Sequence, residues 1–154
     1  MVGQFPAMAR KSGLDGRCLA ALLAALCTLA AAPAGALQTL KSLRAQEAEE
    51  RALAAEIGYT NSVCGASIGA EIDWRSADDW PEDESLADAC DGALGALEAV
   101  CRAGDGRDRA QSISTFVCAG DGAGPSLRGG VLRYGATPGG DGFGETRRFL
   151  ESIW

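Results

Sequence analysis

An acidic segment, residues 71–91, holds the side chains whose types could most directly perform chemistry. It contains nine carboxylates and a single base, Arg75. Calcium needs roughly six to eight oxygen ligands, which a loop commonly supplies from Asp or Asn at alternate positions around a glycine. The densest part of the segment lacks that spacing and contains Pro81, so we expect a solvated acidic surface and no metal site. We call this part the acidic loop; its members are Asp78, Asp79, Glu82, Asp83 and Glu84.

Asp73 is the acidic residue with the best-defined local context, because it lies in the strongest strand pattern of the chain. Hydrolysis by carboxylates requires two acids at a defined separation, one of them with a raised pKa. The strand alternation instead places Asp73 on the polar face beside Glu71. A hydrolase that uses only carboxylates, with Asp73 as its acid, is therefore the third-ranked functional hypothesis.

Other catalytic and cofactor chemistries lack essential residues. The chain has no histidine, so a serine or threonine nucleophile has no imidazole base and zinc has neither histidine nor a CxxC pair as ligands. Gly140, Gly142 and Gly144 precede the last predicted helix, but their spacing differs from GxGxxG and adjacent acids would repel phosphate. Glycines here are better explained as turn residues. We expect no catalytic residue, metal or cofactor.

Four of the six cysteines lie beyond residue 36, and their placing restricts how they can pair. Cys90 and Cys101 are eleven residues apart in an Ala-rich run typical of a helix. That spacing turns both thiols to nearly the same helix face but separates their Cα atoms by about 16 Å, against a limit of roughly 7 Å for a disulfide. Each must therefore bond outside the helix, to Cys64 or Cys118, which predicts two disulfides.

Two connectivities satisfy this requirement. If the strands before and after the helix are parallel neighbours, the helix runs back along the sheet as a crossover. The Cys90 end of the helix then lies near the end of the second strand, which predicts Cys90 to Cys118 and Cys64 to Cys101. A different strand arrangement would give Cys64 to Cys90 and Cys101 to Cys118, so the pairing depends on the sheet topology.

The first 36 residues have the layout of a secretory signal peptide. Basic residues at positions 10, 11 and 17 precede an apolar run over residues 18–32, and Ala34-Gly35-Ala36 matches the small-x-small pattern that signal peptidase accepts. The run is shorter than the roughly 20 residues that span a bilayer. We therefore predict cleavage before Leu37, loss of Cys18 and Cys27 with the leader, and a secreted or periplasmic location, where disulfides form.

Hydrophobic periodicity beyond the leader predicts helices and short strands in one small domain. A helix or arm over residues 37–58, closed by Gly58, has an irregular apolar stripe and precedes a disulfide-stapled domain over residues 59–154. In that domain, strict alternation predicts a strand at 67–74. An apolar helix ended by Gly104 follows it, with its cap at Ser85 or, for a later start, at Asp91.

The remaining elements complete the predicted fold. A strand rich in β-branched residues is predicted at 112–118, Gly129-Gly130 predicts a tight hairpin, and an apolar helix ends at Trp154. The predicted class is a two-layer α+β domain with about four short strands: a strand, a crossover helix, a three-stranded meander and a C-terminal helix, held by two disulfides.

This arrangement resembles small, poorly characterised exported bacterial proteins with disulfides. They carry Cys-Gly before an Ile-x-Ala-x-Ile-Asp-Trp strand, here Cys64-Gly65 and residues 68–74. They continue with a helix bracketed by cysteines, a Thr-x-x-Cys strand end and a Gly-Gly hairpin, matched by residues 115–118 and 129–130. The resemblance covers roughly residues 61–154, and its motifs are structural, so it implies a fold and no activity.

The charge balance restricts the choice of partner. The leader contains three of the 14 basic and one of the 21 acidic residues, which leaves 11 basic against 20 acidic residues in the mature chain. Nucleic acid is an unfavourable partner for such a chain, and insertion into the membrane is not expected once the leader is removed.

A non-catalytic secreted or periplasmic binding module, whose acidic surface meets a protein with a basic surface, is the first hypothesis. An envelope-associated structural or helper protein that uses residues 37–57 as its contact arm is the second.

Processing can be tested directly by mass spectrometry. Expression in an exporting bacterium should yield a mature protein that begins at Leu37 and contains no free thiol, because all four remaining cysteines are oxidised. Intact-mass analysis with and without thiol alkylation checks both points. Retention of Cys18 or Cys27 in the exported protein would contradict the predicted cleavage.

Overall fold

The first helix continues beyond its predicted end. The computed structural model describes residues 34–154, with side chains from residue 42 onward, and helix α1 spans Ala34–Cys64. Gly58 lies inside α1, since one glycine costs a helix only about 1 kcal/mol. Gly65, with φ of 67°, ends it, and its N–H donates to the carbonyl of Asn61 at 2.8 Å. The predicted leader lies outside the described residues except for its last three positions.

Four short strands and three more α-helices follow α1 in the described chain. They are β1 (Gly69–Asp73), a 3-10 helix (Trp74–Ala77), α2 (Leu86–Arg102), α3 (Gly106–Ala110), β2 (Thr115–Ala119), β3 (Gly124–Arg128), β4 (Val131–Gly135) and α4 (Phe143–Ile153). The predicted α+β class, four strands and C-terminal helix are confirmed. Helix α3 was not expected, because its sequence is charged and contains a glycine.

The strands form one sheet in the order β1-β2-β4-β3. Strands β1 and β2 are parallel, as the crossover through α2 predicts, and β4 is parallel to β2. The predicted three-stranded meander is therefore wrong, because β3 lies outside β4 and not between β2 and β4. A physical reason is Pro125 in β3: proline cannot donate a ladder hydrogen bond, so it suits an edge strand. Strand β4, with buried Leu132 and Tyr134, takes the central position.

The hairpin between β3 and β4 forms as its sequence predicts. Gly129 and Gly130 have φ of 56° and 80°, values that strain a residue with a side chain,. Two successive positive φ angles twist the loop in the sense that two paired strands require. The antiparallel register pairs Arg128 with Val131 across this turn.

The two disulfides have the connectivity that a parallel β1 and β2 predict. Cys64 bonds to Cys101 with their Cα atoms 5.1 Å apart, and Cys90 bonds to Cys118 with theirs 5.9 Å apart. One bond joins the C-terminal end of α1 to the C-terminal end of α2. The other joins the N-terminal part of α2 to β2, so both ends of α2 are held covalently.

The core lies between the sheet and the helices. The side chains of Phe116 and Leu132 are fully buried on the covered face of the sheet, and α2 supplies the largest group of buried residues. Helix α1 also contributes, because Leu53 and Ile57 are 1% and 4% exposed. Most of residues 42–52 of α1 are exposed, whereas one face of the second half, with Leu53, Ile57, Thr60 and Cys64, is buried. No helix in the described range is long and apolar enough to cross a membrane.

Close approach at Gly142 joins α4 to the sheet. Gly142 is the N-cap of α4, has φ of 64° and accepts a hydrogen bond from the N–H of Thr146 at 3.0 Å. A Cβ at this position would lie 2.5 Å from Cζ of Tyr134. Gly139 has a similar φ of 68°, but a Cβ at Gly139 would have no atom within 4 Å.

Alanine at these two glycines should therefore have unequal effects. Gly139→Ala should lower the free energy of unfolding by about 1 kcal/mol, the cost of a positive φ alone. Gly142→Ala should lower it by about 2–4 kcal/mol, because displacement of the Tyr134 ring adds to that cost. Urea denaturation followed by circular dichroism measures both, and equal losses would contradict the packing argument.

Candidate functional site

The acidic loop lies on the surface between the 3-10 helix and α2. All five of its carboxylate residues are exposed. Of these five carboxylates, only that of Glu84 has a hydrogen-bond partner: it accepts from the backbone N–H of Gly139 at 3.0 Å. Within residues 42–154, the other four make no hydrogen bond or ion pair through their carboxylates. The loop therefore presents four uncompensated negative charges to solvent.

Trp80 holds the acidic loop in a defined position. Its side chain packs against the hydrophobic core, and its indole N–H donates to the carbonyl of Glu84 at 3.1 Å. Backbone hydrogen bonds from Trp80 to Ala77 and from Glu84 to Pro81, at 3.0 and 3.2 Å, close two turns within the loop. The carboxylates are consequently displayed by an ordered turn, which lowers the entropy lost when a partner binds.

The acidic loop has no arrangement suited to a bound ion. Among residues 42–154, no group of three or more potential ligands is positioned to hold a metal. The acidic loop can therefore act through long-range attraction and direct ion pairs at its surface.

Asp73 lies in a charged cluster that the sequence analysis did not detect. The guanidinium of Arg133 in β4 donates to Asp121 at 2.6 and 3.2 Å, and lies 3.5 Å from the carboxylate of Asp73. The N–H of Ala123 also donates to Asp121 at 3.2 Å. The sheet order brings these residues together on the uncovered face. We call them the Arg133 cluster.

The electrostatics of the Arg133 cluster differ from those of a catalytic acid. Hydrogen bonds from Arg133 hold the pKa of Asp121 below its ordinary value, against the opposing effect of partial burial. The same hydrogen bond raises the pKa of Arg133. A general acid needs a raised carboxyl pKa, whereas the pKa of Asp121 is lowered, so Asp121 is held ionised and paired with Arg133.

A second polar network lies between α1 and α2. Glu98, only 7% exposed, accepts hydrogen bonds from the hydroxyl of Thr60 at 2.9 Å and from Arg102 at 3.0 Å. Arg102 also donates to the hydroxyl of Tyr59 at 3.3 Å. Arg102 lies on α2 with Glu98, but Thr60 lies on α1, so the pattern along α2 alone does not predict the burial of Glu98. The network joins α1 to α2.

The predicted cap of α2 is confirmed and is more extensive than expected. The hydroxyl of Ser85 accepts a hydrogen bond from the N–H of Asp88 at 3.1 Å. The carboxylate of Glu49 accepts from both the Ser85 hydroxyl and the N–H of Ala87, each at 2.8 Å. A carboxylate at a helix N-terminus satisfies unpaired N–H groups and opposes the positive end of the dipole. This contact fixes α1 beside the start of α2.

The comparisons with known proteins supply no relative. No protein-family model, curated protein or solved structure matches this chain.

Acidification should weaken the Arg133 cluster. The lowered pKa of Asp121 contributes stability above its ordinary pKa of about 3.9, and this contribution is lost as the pH falls through the lower folded value,. Asp121→Asn should therefore melt lower than the wild type at pH 7, by at most about 5 °C because the pair is partly exposed.

The difference in melting temperature between the wild type and Asp121→Asn should disappear as the pH approaches the lowered pKa of Asp121. Thermal melts at intervals from pH 7 into the acid range measure it. Asp108→Asn is a matched control, because Asp108 is exposed and makes no ion pair within the described residues. A gap that stays constant with pH would contradict the role assigned to Asp121.

Proposed function

We propose that this protein is a non-catalytic binding module of the extracytoplasmic space, which recognises a protein partner through its acidic loop. The observation that carries the proposal is the set of four unpaired carboxylates displayed on a turn anchored by Trp80. Like charges gathered on a folded surface repel one another. A cationic partner would relieve that repulsion, so the loop suits recognition of a basic surface.

The two disulfides support the placement outside the cytoplasm. Disulfides persist in secreted and periplasmic proteins and are rare in reducing compartments. Both described bonds join elements far apart in the chain, with sequence separations of 37 and 28 residues. The signal-peptide pattern of residues 1–36 supports the same placement,.

The two competing functions receive less support from the geometry. A carboxylate-dependent hydrolase would use Asp73, but this residue is paired with Arg133, and the other acid of the cluster, Asp121, has a lowered pKa. A contact arm over residues 37–57 would need a free helix, whereas Leu53 and Ile57 are buried in the core. Glu49 also holds the same helix to the start of α2.

The proposal predicts a specific effect of removing the acidic loop's charge. A variant with Asp78→Asn, Asp79→Asn, Glu82→Gln and Asp83→Asn should keep its fold, because these side chains have no partners within the described residues. When immobilised, the wild type should capture basic proteins from a native envelope fraction and release them with rising salt. The variant should lose this salt-sensitive capture.

A second variant controls for net charge. Glu47→Gln, Glu56→Gln, Asp91→Asn and Asp108→Asn together remove the same number of charges from exposed residues elsewhere. Capture by this control should match the wild type. Equal capture by both variants, or equal loss from both, would contradict a role for the acidic loop, and no capture by the wild type would contradict the proposed function.

A further inference from the structure

Strand β1 forms one edge of the sheet, and its hydrogen-bonding direction can be read from its pairing with β2. The N–H of Gly69 donates to the carbonyl of Ser114 at 2.9 Å, and the parallel register pairs Gly69 with Thr115. Alternate residues of a strand direct their backbone groups to opposite sides. Gly69, Glu71 and Asp73 therefore face β2, whereas Ala70 and Ile72 direct their N–H and C=O groups away from the sheet.

The next outward-facing position is already occupied by a side chain. The carboxamide of Asn61 accepts from the N–H of Ile68 at 2.8 Å and donates to its carbonyl at 3.0 Å. The amide of Asn61 thus imitates one residue of a neighbouring strand. Within residues 42–154, no such partner is present for the outward groups of Ala70 and Ile72. Ala70 is exposed, whereas Ile72 is 7% exposed, so the unpaired edge is accessible at Ala70.

The opposite edge of the sheet is protected in a way that β1 is not. In β3, Ser126 pairs with Arg133 and Pro125 with Tyr134. Hydrogen bonds between the parallel strands β2 and β4 direct the backbone N–H and C=O of Tyr134 towards β2. Tyr134 therefore makes no backbone hydrogen bond to Pro125, its partner in register, and the backbone of Pro125 faces away from the sheet. Proline has no N–H to donate, and a proline in an edge strand commonly prevents a further strand from pairing with it. Strand β1 contains no proline and keeps its outward donors.

The charges along β1 determine which extended segment fits beside it. Glu71 is exposed on the uncovered face of the sheet, and the acidic loop follows the end of β1 after the 3-10 helix. A lysine or arginine across from Glu71 would form a favourable cross-strand pair. A second copy of this chain, paired antiparallel through the same edge, would bring two Glu71 side chains opposite or diagonal to each other, which is unfavourable.

We propose that β1 is the docking edge for an extended basic segment of the partner, which adds as a fifth strand. Backbone hydrogen bonds to Ala70 and Ile72 would supply affinity, and alternate basic side chains facing Glu71 would supply specificity. Asn61 limits the added strand at one end. This inference rests on the proposed function and adds the form of the partner: an extended segment with basic residues at every second position.

Two synthetic peptides test the edge. The probe is acetyl-Val-Lys-Val-Lys-Val-amide, and its control has glutamate in place of lysine. The lysine peptide should slow hydrogen exchange at the amides of Ala70 and Ile72 in the wild type, and the glutamate peptide should not. Ala70→Pro should weaken binding of the lysine peptide by about tenfold, through loss of an edge hydrogen bond and a steric block.

Ala70→Val is the matched control, because it keeps the N–H and should bind the lysine peptide as the wild type does. The fold of Ala70→Pro is checked by circular dichroism, and the exchange measurement on the wild type tests the edge even where that variant fails to fold. Unchanged exchange at Ala70 and Ile72 with saturating lysine peptide would overturn the docking edge.

Two further outcomes separate this inference from its alternatives. Protection of Ala70 in the free protein at high concentration, with a dimer in sedimentation, would identify a second copy as the occupant and overturn the basic-segment proposal. Capture of basic proteins that depends on the acidic loop but is unaffected by Ala70→Pro would overturn the docking edge and leave the proposed function standing.

Discussion

The geometry of α2 is the constraint on which the rest of the structure depends. Its two cysteines lie on one face of a rigid helix but too far apart to bond to each other, so each must bond to a different element. Cys101 bonds to α1 and Cys90 bonds to β2. In a small domain each such bond is typically worth about 2 to 5 kcal/mol. The two disulfides therefore hold α1, α2 and β2 in one arrangement.

This arrangement places the helices on one face of the sheet and leaves the other face uncovered. Phe116 and Leu132 fill the covered side, while Arg133 on the uncovered side binds two carboxylates from different parts of the chain. The two edges of the sheet also differ in how far they can pair with another strand. Pro125 removes an outward N–H from β3, whereas Asn61 occupies only one outward position of β1. On the uncovered face Arg133 is thus paired with two carboxylates. Among residues 42–154, the carboxylates of four acidic-loop residues and the outward backbone groups of Ala70 and Ile72 have no such partner.

The acidic loop combines an apolar anchor with exposed charge. Trp80 contributes the apolar contact with the core, and the carboxylates around it point to solvent. Surface charges in water are screened by salt, so their repulsion is compatible with a loop whose partly buried Trp80 contacts the core. The same exposure leaves these charges available to a partner.

Local patterns in the sequence were sufficient for the α+β class, the hairpin and the exclusion of a bond between Cys90 and Cys101, because each depends on neighbouring residues or on one helix's fixed rise. The choice between the two remaining disulfide connectivities depended on the parallel pairing of β1 with β2. Tertiary structure alone decided the position of β4 between β2 and β3, and with it the Arg133 cluster. It also decided the burial of Glu98 and the use of Asn61 as a strand partner. The reason is physical: strand order and side-chain pairing between distant elements depend on how whole surfaces pack, which periodicity along the chain does not record.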